Sequence, residues 1–114
     1  AQAEALTDTG FHHIAWVNAI TYQMIYEQPV VYELHNIHEP TLLIIGQRDR
    51  TIVGKGLLTE EEKIKHGLYP WLGKMAHEQI ANSKLVELPG MGHISHVQDL
   101  PLFKKSLFPF LDAN

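Results

Sequence analysis

The segment Leu42-Leu43-Ile44-Ile45 restricts the fold more than any other part of the chain. Successive side chains of a strand point to opposite faces, so four apolar residues in a row make both faces apolar. Strands of this kind are typical of the interior of a parallel sheet that helices cover on both sides. Gly46 ends the apolar run, and a polar loop follows. The segment therefore predicts a strand near residues 41–46 of an α/β fold.

The residues after this strand predict a single β-α-β-α unit. Thr59 and the three glutamates that follow it predict a capped helix over residues 58–66. The spacing of apolar residues predicts another helix over 71–80. A second strand is predicted near 84–88, and a closing helix over 102–111. A strand, crossover helices, a strand and a helix in this order predict two parallel strands.

The N-terminal part predicts a helix rather than more sheet. Apolar and aromatic residues recur at spacings of three and four between residues 11 and 26, and Pro29 closes the pattern. The segment around Val30 to Tyr32 is the one further weak strand candidate. Two or three strands do not make a stable parallel sheet, so we expect most of the sheet to lie outside this chain.

The amino-acid composition excludes several classes of protein and of functional site. The chain has 114 residues, is 45% hydrophobic and 19% charged, and carries a scattered net charge of −4, which indicates a globular domain without a nucleic-acid-binding stripe. It contains no cysteine, which excludes disulfides, cysteine nucleophiles and thiolate metal sites. No apolar run approaches the roughly 20 residues of a membrane span, so none is predicted.

An acid and a base follow the two predicted strands. Asp49 comes directly after the first strand, and His93 comes after the second within Pro89-Gly90-Met91-Gly92. The carboxyl ends of neighbouring parallel strands lie at one edge of the sheet, where ligand-binding and catalytic residues are commonly found. An aspartate there can orient a histidine and stabilise its protonated form. Alternatively, Asp49 is a loop residue that accepts hydrogen bonds from backbone N–H groups, and His93 is a structural histidine.

From about residue 40 to 111 the chain resembles the C-terminal part of α/β-hydrolase-fold enzymes. The resemblance rests on P-T-L-L-I-I-G-Q-R-D, on L-V-E-L-P-G-M-G-H and on a helix ending in F-P-F-L. It implies that Asp49 is the acid and His93 the general base of a catalytic triad that uses no cofactor and no metal. It also implies that residues 1–32 are the end of a helical lid, with aromatic residues lining an acyl or leaving-group pocket, and that residues 33–114 are the C-terminal part of the core domain.

The chain departs from that family in its nucleophile. The G-x-S-x-G elbow and the H-G-G-G type oxyanion segment do not occur. The three serines, Ser83, Ser95 and Ser106, do not lie between a strand and a helix with flanking glycines. We therefore expect the chain to be inactive alone and to depend on a missing N-terminal segment or a complementary chain as its partner.

The resemblance implies hydrolysis of a small-molecule ester through an acyl-enzyme. One alternative is a haloalkane- or epoxide-type hydrolase on the same fold, with an aspartate nucleophile outside this chain. Another alternative is a non-catalytic fragment or interaction module, whose incomplete sheet would lead to self-association as a homo-oligomer.

Other polar residues have weaker interpretations. Arg48 and Arg50 flank the acid, and surface ion pairing is expected for them, with binding of a substrate carboxylate as the alternative. The H-x-x-H pairs at His35 and His93 lack a carboxylate in register, so no metal site is predicted. Gly54-Lys55-Gly56 lacks the spacing of a phosphate-binding loop.

Overall fold

A computed structural model describes the backbone of residues 9–113 and the side chains of residues 10–113. The chain divides into two compact units, with the division between Tyr32 and Glu33. The first eight residues of the predicted lid segment 1–32 lie outside the described residues. That the two units are a lid and a hydrolase core stays a prediction.

The N-terminal unit is built on one long helix, α1 (Thr9–Glu27). Its end agrees with the stop expected before Pro29. The aromatic residues expected to line a pocket are largely exposed, with Trp16 at 66% and Tyr26 at 62%. An apolar groove of about 510 Å³ does lie in this unit, but it is formed by the end of α1 and the residues after it: Met24, Ile25, Gln28, Pro29, Val30 and Val31.

A 3-10 helix, Val30–Asn36, follows α1. The weak strand candidate at Val30 to Tyr32 is therefore wrong. A strand must exchange backbone hydrogen bonds with a neighbouring strand, and the described part of the chain contains one sheet of two strands that pair with each other. The 3-10 segment instead satisfies its backbone locally, as where Ile37 N–H donates to Leu34 O at 3.2 Å.

The C-terminal unit contains the predicted parallel sheet. β1 (Thr41–Gly46) and β2 (Ser83–Leu88) pair in parallel, and the register runs from Thr41 opposite Ser83 to Gly46 opposite Leu88. Both strands and their direction are confirmed. Because Gly46 and Leu88 are partners, the loops that leave the two strands start side by side.

The crossover between the strands is helical, as expected. It comprises a 3-10 turn (Lys55–Leu57), α2 (Glu60–Lys65) and α3 (Tyr69–Gln79). Thr59 caps α2 in a capping box: its hydroxyl accepts from Glu62 N–H at 3.3 Å, and Glu62 Oε2 accepts from Thr59 N–H at 2.8 Å. Helix α3 packs on both strands, with Gly73 buried against Ile45.

Two helices follow β2. The short helix α4 (Ser95–Gln98) lies where the sequence predicts only loop, and α5 (Leu100–Ala113) is the predicted closing helix. Phe103, Leu107 and Phe110 on α5 are half-buried, whereas Leu111 is 57% exposed. Leu111 lies in the last turn of the described chain, where little of the unit is left to cover it.

The described residues bury few apolar side chains. Ile80 and Leu88 are the two hydrophobic residues buried there, at 3% exposure each. The side chains of β1 are half-buried although both faces of the strand are apolar. Residues 9–113 therefore do not by themselves cover this strand as the interior of a parallel sheet is covered. Within the same residues, no helix has the length and apolar character needed to cross a membrane.

Candidate active site

The backbone hydrogen bonds of the sheet extend past the end of β1 and place Asp49. Gln47 N–H donates to Leu88 O at 3.0 Å, and Arg48 N–H donates to Met91 O at 2.8 Å. The chain then turns, with Asp49 N–H donating to Gly46 O at 3.1 Å. Asp49 is thus held directly beyond the sheet, against the loop that carries His93.

Two glycines allow the loops to approach so closely. A Cβ atom at Gly46 would lie 2.7 Å from the carbonyl oxygen of Met91 and closer still to that of Gly92. Gly90 has a φ of 78°, in the left-handed region that side-chain-bearing residues rarely adopt. Gly92 N–H donates to Gln98 Oε1 at 2.6 Å, which ties the loop to α4. The loop before His93 is therefore fixed from both sides.

Asp49 and His93 form a hydrogen bond between the two loops. The distance from His93 Nδ1 to Asp49 Oδ2 is 2.8 Å. The other carboxylate oxygen of Asp49 accepts from Thr51 N–H at 2.9 Å. Asp49 is buried at 5% exposure, whereas the His93 side chain is 55% exposed. The structure brings together the two residues that the sequence singled out, and it leaves Nε2 as the ring nitrogen of His93 that can take up a proton.

The carboxyl group of Asp49 is held in its ionised form. Burial alone would raise the pKa of Asp49, but hydrogen bonds from His93 and Thr51 and the charge on His93 outweigh burial and lower the pKa below its usual value of 3.8. An ionised carboxylate accepts the Nδ1–H of His93 and fixes the tautomer and orientation of the ring. This is the electrostatic arrangement that a general base requires.

The lowered pKa of Asp49 predicts a loss of stability in acid. A group whose pKa is lower in the folded state stabilises the fold above its unfolded-state pKa, near 3.8, and this contribution disappears as the pH falls through the folded-state pKa. The free energy of unfolding, measured with urea at several pH values between about 6 and 2.5, should therefore decrease below about pH 4, and it should decrease less in Asp49→Asn.

Asp112→Asn, an exposed change on α5, is the matched control and should keep the acid dependence of the unchanged protein. Equal acid dependence in Asp49→Asn and Asp112→Asn would contradict the assigned role of Asp49.

Tyr69, the first residue of α3, is a site residue that the sequence analysis missed. Its ring meets the His93 ring edge-on, with centroids 5.9 Å apart and planes at 67°. Burial and the charge of Asp49 raise the pKa of its hydroxyl. The sequence pattern placed the start of this helix at residue 71. No motif marks Tyr69, because only the packing of α3 on the sheet brings it to the histidine.

A cleft of about 420 Å³ opens beside the pair. Its lining comprises Arg48, Asp49, Arg50, Thr51, Ile52, Lys55, Gly92 and His93. The arginines were expected to form surface ion pairs, but neither forms one with any described residue. Arg50 Nη1 instead donates to the backbone oxygen of Asp49 at 2.6 Å. No sequence motif associates Lys55 with the site.

Two other histidines and two of the three serines make contacts outside this site. The His96 ring lies 5.7 Å from that of Phe103, and His77 Nδ1 lies 2.7 Å from Ser83 Oγ. Ser83 and Ser106 donate to helix carbonyl oxygens. No group of three or more metal-ligating side chains occurs in the part of the chain that the structure describes.

The chain was compared with known proteins. No protein-family model matches it, and no curated protein matches it either. Among solved structures it is similar to a probable hydrolytic enzyme from Pseudomonas aeruginosa PAO1, at 42% sequence identity and a TM-score of 0.86. The match covers 91% of this chain and 33% of that protein. This chain thus spans about a third of the length of the protein that it resembles.

Proposed function

We propose that this chain is the C-terminal part of a hydrolase with an α/β-hydrolase fold, in which Asp49 and His93 are the acid and the general base of a catalytic triad. The observation that carries the proposal is the 2.8 Å hydrogen bond between them, at the carboxyl ends of two paired parallel strands. The similarity to a probable hydrolytic enzyme over 91% of the chain supports it.

The proposed reaction is hydrolysis of a small-molecule ester. A serine hydroxyl from outside this chain attacks the carbonyl carbon while His93 Nε2 takes its proton, and Asp49 stabilises the resulting imidazolium. Collapse of the tetrahedral intermediate breaks the bond to the leaving alkoxide, which receives the proton from His93. Water then attacks the acyl-enzyme with His93 again as base, releasing the acid and restoring the serine.

In this scheme His93 is catalytic through Nε2, and Asp49 is a positioning residue that acts through His93. Tyr69 is a second positioning residue in this proposal, since its ring lies against that of His93 with centroids 5.9 Å apart. The nucleophile and the oxyanion donors belong to residues outside the chain. The chain alone should therefore leave esters unhydrolysed.

A chimeric enzyme tests the proposal. The chimera consists of the Pseudomonas aeruginosa protein with its matching third replaced by this chain, which the 42% identity and the TM-score of 0.86 make structurally feasible. We expect the chimera to hydrolyse activated esters and to be labelled covalently by a fluorophosphonate, and the isolated chain to do neither. Native mass and circular dichroism establish that the chimera is folded and assembled.

Each outcome of the labelling experiment has a defined meaning. Labelling of the isolated chain would overturn the assignment of the nucleophile to residues outside it. A folded chimera that hydrolyses haloalkanes or epoxides without fluorophosphonate labelling would show that Asp49 and His93 serve an aspartate nucleophile rather than a serine. A folded chimera without any hydrolytic activity would favour a non-catalytic interaction module.

A further inference from the structure

The cleft beside His93 contains three cationic side chains, contributed by Arg48, Arg50 and Lys55. They lie in the loop that leaves β1 and in the 3-10 turn after it. The cleft has a volume of about 420 Å³, within the range typical of small-molecule sites. Cations therefore surround the position where the proposed reaction would occur.

These cations are not neutralised by the described residues. The side chain of Arg48 makes no hydrogen bond or ion pair with them, and Arg50 donates to an uncharged carbonyl oxygen. Lys55 acts electrostatically on Glu60, but Glu60 forms its ion pair with Lys63, at 2.6 Å. The guanidinium and ammonium groups thus keep donors that an anion from solution can use.

The one carboxylate among the described residues that line the cleft is already occupied. Asp49 accepts from His93 and from Thr51 N–H, so its oxygens face the sheet loops rather than the arginines. The cleft is therefore lined by three cationic side chains and one carboxylate, although the whole chain has a net charge of −4. A cleft of locally positive potential in an acidic protein attracts and holds anions.

We infer that the substrate carries an anionic group, a carboxylate or a phosphate, and that Arg48 binds it with Arg50 and Lys55 as flanking cations. This inference rests on the proposed function, since it specifies the substrate of that same site. An arginine guanidinium presents paired N–H donors that match both kinds of oxyanion. Held there, the anion places the neighbouring ester bond beside His93.

Anion binding can be measured without any turnover on the folded chimera. Amide and guanidinium N–H resonances are followed by NMR during titration with inorganic phosphate, with propionate and with uncharged propionamide, at constant ionic strength. We expect saturable shifts at Arg48, Thr51 and Gly92 for at least one anion and none for propionamide. Arg48→Gln should weaken this binding about tenfold, and Lys105→Gln, an exposed cation on α5, should leave it unchanged.

The result distinguishes the two anions and can contradict the inference. Saturation by phosphate alone assigns a phosphorylated substrate, and saturation by propionate alone assigns a carboxylate. Equal shifts with propionamide, or equal weakening by Arg48→Gln and Lys105→Gln, would overturn it. In the chimera, loss of preference for anionic esters in Arg48→Gln with hydrolysis of neutral esters retained supports the inference. An active chimera without such a preference refutes the inference but leaves the proposed function intact.

Discussion

Replacing His93 by alanine in the chimera is expected to lower kcat/KM for ester hydrolysis by about 10⁴-fold or more, the scale on which loss of a triad histidine acts. Without an imidazole at this position nothing removes the proton from the nucleophile, because the neighbouring Asp49 is buried and its lowered pKa makes it a weak base. The measurement is steady-state hydrolysis of one activated ester by chimeras that are equally folded and equally pure.

His96→Ala is the matched control, since His96 lies three positions further on and contacts Phe103 instead of Asp49. It should change kcat/KM by less than about threefold. Asp49→Asn should lower kcat strongly, by about 10³-fold or more, with little effect on KM, because it disturbs the tautomer and orientation of His93 but not substrate binding. Equal activity in His93→Ala and His96→Ala would show that His93 is not the base.

Gly46→Ala is expected to reduce the free energy of unfolding by about 3 kcal/mol, the upper part of the range for overpacked buried positions. The added methyl group would meet backbone oxygen atoms of Met91 and Gly92, which have no rotamer by which to move aside. The two strand-end loops would have to separate, so the hydrogen bond from Arg48 N–H to Met91 O should break as well. Urea unfolding gives the free energy, and hydrogen exchange of the Arg48 amide reports the local opening.

Gly56→Ala controls for the loss of a glycine as such. No atom lies within 4 Å of a Cβ built at Gly56, so its effect should stay within about 0.5 kcal/mol. If Gly46→Ala destabilised no more than Gly56→Ala, the close approach of the loops would not be a requirement of the fold. Faster exchange at Arg48 without a change in global stability would confine the effect to the site.

Local patterns in the sequence were sufficient to predict most of the elements. The apolar run before Gly46 predicts β1, and Thr59 with Glu62 predicts the start of α2, because both signals act within a few residues. The parallel pairing follows from the helical crossover. The segment Val30–Asn36 was misjudged since its apolar residues suit either a strand or a 3-10 turn, and only a pairing partner decides between them.

For the site, the residue pattern was enough to predict that an acid and a base follow two neighbouring parallel strands, which places Asp49 and His93 at one edge of the sheet. Tertiary structure decided everything that depends on distance. It made the 2.8 Å hydrogen bond, brought Tyr69 of α3 against the imidazole, and gathered Lys55 with the arginines around one cleft. A sequence motif consists of residues that are close along the chain. These contacts instead join residues that are far apart in the sequence, and they form only when loops and helices pack together.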